Sequence, residues 1–344
     1  MKFSLFLHME RYDQDKSHKQ SLAELTELVQ IAEEGGFEAA WIGEHHAMEF
    51  TIAPNPLAFI TYLATHTSKI RLGAGTFIAP FWHPVKLAGE AALADIMCDG
   101  RLEFGIARGA YQAEFDRLMN GMPAADGGKY LREMIPALQG LWTGDYAHEG
   151  ELYQFPTSTS VPKPLQQPHP PMWVAARDPD SHNFAISNNC NVMVTPLQKN
   201  DDEVQELMTK YNEALSNNAV AQADSRLMLL RHTFVGDSEQ DLQTGTDALH
   251  HWYSMFMAWA RNNQTPEAGF VNRLTEEELG DSFSKETLRN NLVVGSPEEV
   301  TARLKYYEKL GVSQYSYWAD NSLSFEEKKK SLRLFIEKVM PAFQ

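Results

Sequence analysis

The 344-residue sequence predicts an α/β protein built as a single (β/α)8 barrel, and three observations carry that expectation. Short apolar runs alternate with amphipathic stretches of helical period along the chain, and eight of the runs have strand character. No shift in composition marks a boundary, so residues 1–344 are taken as one domain, a length that α/β barrels reach. No glycine fingerprint follows the first strand, as it would in an open doubly wound sheet. Eight right-handed strand–helix crossovers then close into a ring, with chemistry at the carboxyl ends of the strands.

In chain order, Phe3 to Leu7 is the first strand. A helix from Ser21 to Gly35 follows, with Leu22, Leu25, Leu28, Val29 and Ile31 on one face. Ala39 to Gly43, Ile70 to Thr76 and Leu102 to Ala107 are the next strands, separated by helices over Pro56–Thr67 and Val85–Met97. A helix near Tyr130–Trp142 leads to a hairpin from Tyr146 to Phe155 that turns at Glu149-Gly150. The proline-rich stretch Val161–Pro171 enters a strand at Met172–Ala176, followed by a helix over Asp180–Asn188. Strands at Val192–Thr195, Leu227–Val235 and Gln314–Trp318, and a last helix over Glu326–Val339, complete the count. Between about 262 and 291 the chain is polar and glycine-dotted, with Thr275-Glu276-Glu277-Glu278 as its clear helix start. This insertion reads as a mobile active-site lid.

Composition narrows the class. An apolar fraction of 43% supports a large core, and a net charge of −16 disfavours a nucleic-acid partner, whose phosphates need a wide cationic face. Lys328-Lys329-Lys330, next to Glu326-Glu327, reads as a solvated helix face. Two cysteines without a partner motif, Cys98 and Cys190, indicate buried free thiols in a reducing compartment. The start of the chain lacks a signal-peptide pattern and no run is long enough to cross a membrane, so a soluble, cytoplasmic protein is expected.

The second strand ends in Glu44-His45-His46 and the fourth in Arg108-Gly109-Ala110-Tyr111. Adjacent histidines on an extended strand point to opposite sides, so His45 and His46, even with His83, make a poor metal site; none is expected. A hydrogen-bonded structural role, with Glu44 fixing the tautomer, suits either ring, but His45 at a strand end beside the Glu44 carboxylate favours proton chemistry. Arg108 beside a glycine suits a phosphate. Ala176-Arg177-Asp178 leads into a helix at Ser181, where free amides and the Arg177 guanidinium form a second anion site; ordinary capping by Asp178 or Asp180 is the alternative. Gly73-Ala74-Gly75-Thr76 leaves room either for a flat ring against the backbone or for tight packing.

With these residues in place, the chain resembles the bacterial luciferase-like flavin monooxygenases, in particular the luciferase α subunit. The likeness runs from Met1 to Pro341. It rests on Gly36-Phe37 with Trp41 and Glu44-His45-His46, His83-Pro84-Val85, Gly100-Arg101 with Phe104-Gly105-Ile106, Arg108-Gly109 and Tyr111, then His250-His251-Trp252-Tyr253 and Val294-Gly295-Ser296-Pro297-Glu298-Glu299. The resemblance implies a two-component monooxygenase: reduced FMN arrives from a separate flavin reductase and, with molecular oxygen, oxygenates a small organic substrate, an aldehyde in the luciferases. His45 matches the family's catalytic histidine. Arg108 and Ser181 match its phosphate site, and Gly75-Thr76 the place of a non-proline cis peptide beneath the flavin ring. Phe6, Tyr111 and Trp252 are expected to line an apolar substrate pocket. A homodimer paired through the second and third helices is also implied, with the small residues Ala88 to Ala94 permitting close approach.

Departures from the luciferase pattern count against light emission. Ala107 stands where the α subunit has a reactive cysteine, Arg177 replaces a glutamate, Lys129 only roughly occupies the place of another basic residue, and the lid is shorter. The rival readings are a deazaflavin-dependent oxidoreductase of the same fold, a non-catalytic flavin-binding protein and, last, a metal hydrolase.

Overall fold

The computed structural model describes residues 1–218 and 224–343. β1 (Lys2–Phe6), β2 (Ala39–Ile42), β3 (Arg71–Ile78) and β4 (Leu102–Ala107) lie side by side in parallel, linked by α1 (His18–Glu34), α2 (Pro56–Ala64) and α3 (Pro84–Met97). After α4 (Gln112–Leu118) and α5 (Gly127–Thr143), the antiparallel hairpin β5 (Tyr146–Glu149) and β6 (Gln154–Ser158) leaves the ring. β7 (Met172–Ala175) rejoins it beside β4, followed by α6 (Pro179–Ser187), β8 (Asn191–Val194), α7 (Asp201–Asn217) and β9 (Leu227–Val235). The remainder holds α8 (Glu239–Arg261), α9 (Glu276–Leu279), α10 (Lys285–Asn291), β10 (Val293–Gly295), α11 (Pro297–Leu310), β11 (Gln314–Trp318) and α12 (Phe325–Leu334). Pairing of β8 with β9, β9 with β11 and β11 with β1 closes the barrel, and its eight strands are those expected from the sequence. The short β10 extends only the end of β9 and stays outside the ring.

Caps set the helix boundaries. Ser17 accepts the Gln20 N–H and starts α1 three residues before the expected Ser21. His83 is the cap of α3: its Nδ1 accepts the Val85 N–H at 3.3 Å, which accounts for this ring without a metal. Pro84 follows at the first helical position, where its missing N–H costs nothing. The last helix is α-helical only to Leu334, then widens into a π turn over Phe335–Val339.

The amino end of the barrel is plugged. Trp41 and Trp173 meet edge to face at 5.5 Å, and the buried Glu103 accepts the Trp173 indole N–H at 2.5 Å. Arg71 pairs with the same carboxylate, and Arg226 lies 4.8 Å over the Trp173 ring. No helix of the described residues is long and apolar enough to cross a membrane.

Several surface readings change. Lys328 is not solvated: it is largely buried and paired with Glu10, while Lys329 pairs with Glu27 and Glu326, and Lys330 with Asp237 and Asp241. On α3, Ala88, Ala91, Ala92 and Ala94 face their own barrel, so the small residues serve internal packing. The exposed face of that helix instead shows Leu93, Ile96 and Met97, which are neighbours at helical spacing. Cys98 and Cys190 are free and buried, and burial pushes their thiols up to about 11 and about 12. The 262–291 segment carries two short helices: α9, capped reciprocally by Thr275 and Glu278, and α10, capped by Ser284. It is docked on the loop after β2, where the Glu49 N–H donates to the Gly269 carbonyl at 3.0 Å.

Candidate active site

At the carboxyl ends of the strands lies a cavity of about 340 Å³, walled mostly by apolar side chains. The sheet brings together in it residues that the sequence scatters: Glu44 and His45 after β2, Gly75 and Thr76 in β3, Arg108 and Tyr111 after β4, and Ala176 and Arg177 after β7. Lys129, Asp178 and Ser181 are not among its lining. Lys129 sits on α5, two-thirds exposed and paired with Asp126 at 3.0 Å.

The backbone is shaped around this space. The Gly75–Thr76 peptide is cis, at the position the family resemblance indicated. Gly73 serves packing, since a Cβ there would come 2.3 Å from the Trp41 ring. Gly75 lies on the cavity instead, where a Cβ would stand 3.0 Å from Phe6. Gly109 has φ +89°, a left-handed conformation that frees the chain to turn sharply after Arg108.

His45 is held from an unexpected side. Its Nδ1 faces Oε2 of Glu114, on α4, at 3.4 Å, and the other oxygen of Glu114 accepts the His46 N–H at 2.7 Å. Glu44 does not serve His45; of the two rings whose tautomer it was expected to fix, it meets His46. Its carboxylate accepts from the Ile78 N–H (2.7 Å) and the Trp82 indole N–H (2.9 Å), and faces His46 Nε2 at 2.9 Å. Burial lowers the charged form of His46, but the hydrogen bond and charge of Glu44 outweigh it, so His46 is raised above the ordinary imidazole value. Tyr111 packs its ring edge on His45 at 5.3 Å, and burial holds its phenol protonated, well above the usual range. Glu114 escaped the sequence reading because nothing local marks it; its place on α4, just after Tyr111, was the only clue.

The two expected anion anchors differ. Arg108 is exposed at the cavity rim and makes no hydrogen bond or ion pair among the described residues, so its guanidinium is available to an anion. The start of α6 is already satisfied. Asp178 accepts the Ser181 N–H at 2.9 Å, and Ser181 Oγ accepts the N–H groups of Arg177 (3.0 Å) and Asp178 (3.1 Å). The ordinary cap is thus formed there, and an anion at this helix start would share those groups with it. Arg177 is partly committed, to Glu203 at 2.5 Å and to the Thr195 carbonyl at 3.0 Å.

Aromatic rings form the rest of the wall. Phe6 and Trp318 meet at 5.4 Å, and Trp252 and Phe256 of α8 stack at 5.2 Å. Behind them His232 stacks on Trp318 at 3.8 Å, kept neutral by burial, which holds it well below its usual value. His8, just after β1, also lines the cavity. Among the described residues, no group of three or more His, Cys, Asp or Glu is arranged to hold a metal ion.

Comparison with known proteins adds an independent line. The family model described as luciferase-like monooxygenase matches residues 1–314. The oxygenase component of a flavin-dependent trigonelline monooxygenase from Acinetobacter baylyi is 52% identical, over 100% of this chain and 96% of that protein. Among solved structures, the monooxygenase RslO1 from Streptomyces bottropensis superposes with a TM-score of 0.85 and 26% identity, covering 100% of both chains. The oxygenating constituent of 3,6-diketocamphane monooxygenase from Pseudomonas putida, solved in complex with FMN, gives a TM-score of 0.78 over 99% of this chain and 98% of its own. At 20% identity that last likeness speaks to the fold alone.

Proposed function

This chain belongs to the luciferase-like monooxygenase family and is a flavin-dependent monooxygenase, and from that premise we propose that it is an oxygenase component that takes reduced FMN from a separate reductase. The observation that carries the proposal is the unpaired Arg108 at the rim of a cavity whose floor is Gly75-Thr76 and whose walls are aromatic. A guanidinium with no internal anion suits a terminal phosphate, while the glycine floor and apolar walls suit a flat ring system. Arg177 is a second contact only if it gives up Glu203.

Bound reduced FMN would supply the electrons that activate molecular oxygen. The protein's own share is binding, exclusion of water and proton handling. The apolar wall of Phe6, Trp252, Phe256 and Trp318 keeps bulk water away from the reacting centre. His45, with Nδ1 turned to the Glu114 carboxylate, carries its proton on that nitrogen and leaves Nε2 free to take one from a bound group.

For the substrate, the 52% identical relative points away from an aldehyde and toward trigonelline, a flat N-methylpyridinium carboxylate. The aromatic wall agrees with that chemistry, because ring faces attract a cationic heterocycle stripped of water. Pairing of two copies through α3 is part of the proposal, supported by the exposed Leu93, Ile96 and Met97. So is closure of the 262–291 segment, which borders the entrance loop while contributing no lining residue.

Anaerobic titration with reduced FMN, followed by turnover with trigonelline and oxygen, tests the assignment. Binding of reduced FMN and consumption of trigonelline are expected. Binding of a deazaflavin in its place, or trigonelline left unchanged beside tightly bound reduced FMN, would overturn the cofactor or the substrate respectively.

A further inference from the structure

Beside the flavin cavity lies a second chamber of about 560 Å³, and His45 stands in the wall of both. The chamber is bordered by the loop after β2, through Met48 and Glu49, and by the 262–291 segment, through Pro266 and Gly269. Its one arginine is Arg117 of α4. Tyr111, Glu114 and Arg117 follow one another at a spacing of three residues along that helix. Tyr111 packs on His45 at 5.3 Å and Glu114 faces its Nδ1 at 3.4 Å. Arg117 comes next, about 4.5 Å further along the axis.

The Arg117 side chain is exposed, and its guanidinium lies 5.9 Å over the ring of Trp259. One N–H donates to the Ala113 carbonyl at 2.5 Å, and the group forms no ion pair among the described residues. The carboxylates around it are engaged elsewhere. Asp116 accepts from Gln112 Nε2 at 2.9 Å and from Asn262 Nδ2 at 2.7 Å. Glu49, in the wall of the same chamber, is held by Arg11 and by His18, each at 3.0 Å. In a chain of net charge −16, an unneutralised cation next to His45 makes this mouth locally attractive to anions. An aromatic path joins it to the flavin cavity. Trp252, Phe256 and Trp259 recur at i, i+4 and i+7 on one face of α8; the first two wall the cavity and the third carries the guanidinium. Tyr111 meets Phe256 at 5.8 Å.

We propose that Arg117 anchors the carboxylate of the organic substrate, and that the second chamber is where a flat aromatic carboxylate is received. A planar guanidinium matches a carboxylate with two parallel N–H···O bonds. With that end fixed, the ring of the substrate lies along Tyr111 and Phe256, within reach of His45. A flavin seated on Gly75-Thr76 with its phosphate at Arg108 takes up much of the 340 Å³ cavity, so the second reactant needs this adjoining space. The ligand class is therefore an aromatic acid, and the matching carboxamide, equal in shape but without the negative charge, is rejected.

This assignment deepens the oxygenase reading and rests on it, and binding measured apart from turnover keeps the two distinguishable. Trigonelline and its carboxamide analogue are titrated calorimetrically into the protein, with and without reduced FMN, in the absence of oxygen. Wild type should prefer the acid by about tenfold or more. Arg117→Gln should lose that preference by binding the acid about ten- to a hundredfold more weakly while its affinity for the amide stays as in wild type. Arg117→Lys should recover part of it, and the affinity for reduced FMN should be the same in all three proteins. In turnover the loss should fall on KM more than on kcat. Equal affinity of wild type and Arg117→Gln for trigonelline, or an equal loss for acid and amide, would overturn the anchor. No affinity of wild type for trigonelline would overturn both the anchor and the substrate, while reduced-FMN binding is read separately. Trigonelline held through Arg117 by a protein that never oxygenates it would keep the anchor and refute the oxygenase reading.

Discussion

Glu114→Gln is the sharpest perturbation of the site, because it alters one atom's chemistry and almost no volume. Glu114 is fully buried, with one oxygen 2.7 Å from the His46 N–H and the other 3.4 Å from His45 Nδ1. Glutamine keeps an acceptor for the His46 N–H but presents an NH₂ group to His45. Nδ1 must then accept, the His45 proton moves to Nε2, and the nitrogen nearest the reaction can no longer take a proton. Losing a general base costs about 10²–10⁴ in rate, which is about 3–5 kcal/mol of barrier. The cost in stability is smaller. Replacing a charged acceptor by a neutral one on the His46 N–H loses about 1 kcal/mol, a fall in Tm of roughly 1–2 °C for a chain of this size. Steady-state turnover with trigonelline, calorimetry and a reduced-FMN titration together give the answer: kcat should collapse while the fold and flavin affinity survive. Turnover within threefold of wild type in a folded variant would refute the argument that Glu114 sets the tautomer of His45.

Other expectations follow from the same geometry. Arg108→Ala should weaken reduced-FMN binding about ten- to a hundredfold, the worth of one charge-assisted contact, and the loss should shrink at high salt; affinity equal to wild type would place the phosphate elsewhere. Because the folded-state value of His46 is raised, its pairing with Glu44 adds stability that is complete below the ordinary imidazole value of about 6.5 and fades as pH rises through the raised value. Urea denaturation of wild type and His46→Gln should thus differ most at acidic pH and converge toward pH 9, whereas a constant difference would mean that the pair contributes no proton-linked term. Gly105→Ala drives a Cβ to within 2.2 Å of the Ala74 carbonyl oxygen, between β4 and β3, and should lower stability by about 1–3 kcal/mol or abolish folding; a wild-type melting curve would contradict the close approach. Leu93→Asp with Met97→Asp should yield monomers in sedimentation if α3 is the pairing face, and an unchanged sedimentation coefficient would remove that face from consideration.

Most of the eight strands were legible because they are compact apolar runs ended by polar residues, as at Ala39–Gly43 before Glu44. The rest depended on where side chains face. A period of two separates His45 from His46, and by the same rule it sets Glu44 beside His46 and away from His45. The true partner, Glu114, lies 69 residues on and is delivered by α4. His8 and Asp320 are 312 residues apart; they meet because β1 and β11 pair with Phe6 opposite Trp318, a register that only the closed barrel fixes. At α6 the sequence allowed both a cap and an anion nest, and the structure shows the cap, with Ser181 Oγ accepting the Arg177 and Asp178 N–H groups. Lys328 read as solvated because a helix surface and a helix flank share the same composition; burial against Glu10 is decided by the loop after β1.

The most direct test of the central claim is a single-turnover experiment with ¹⁸O₂. The protein is mixed anaerobically with reduced FMN and trigonelline, labelled oxygen is admitted, and the products are read by mass spectrometry. The account predicts a trigonelline-derived product carrying label from oxygen, strongly diminished in His45→Gln, with oxidised FMN formed in both proteins. Quantitative conversion of the labelled oxygen to hydrogen peroxide, with trigonelline recovered intact and His45→Gln indistinguishable from wild type, would contradict it.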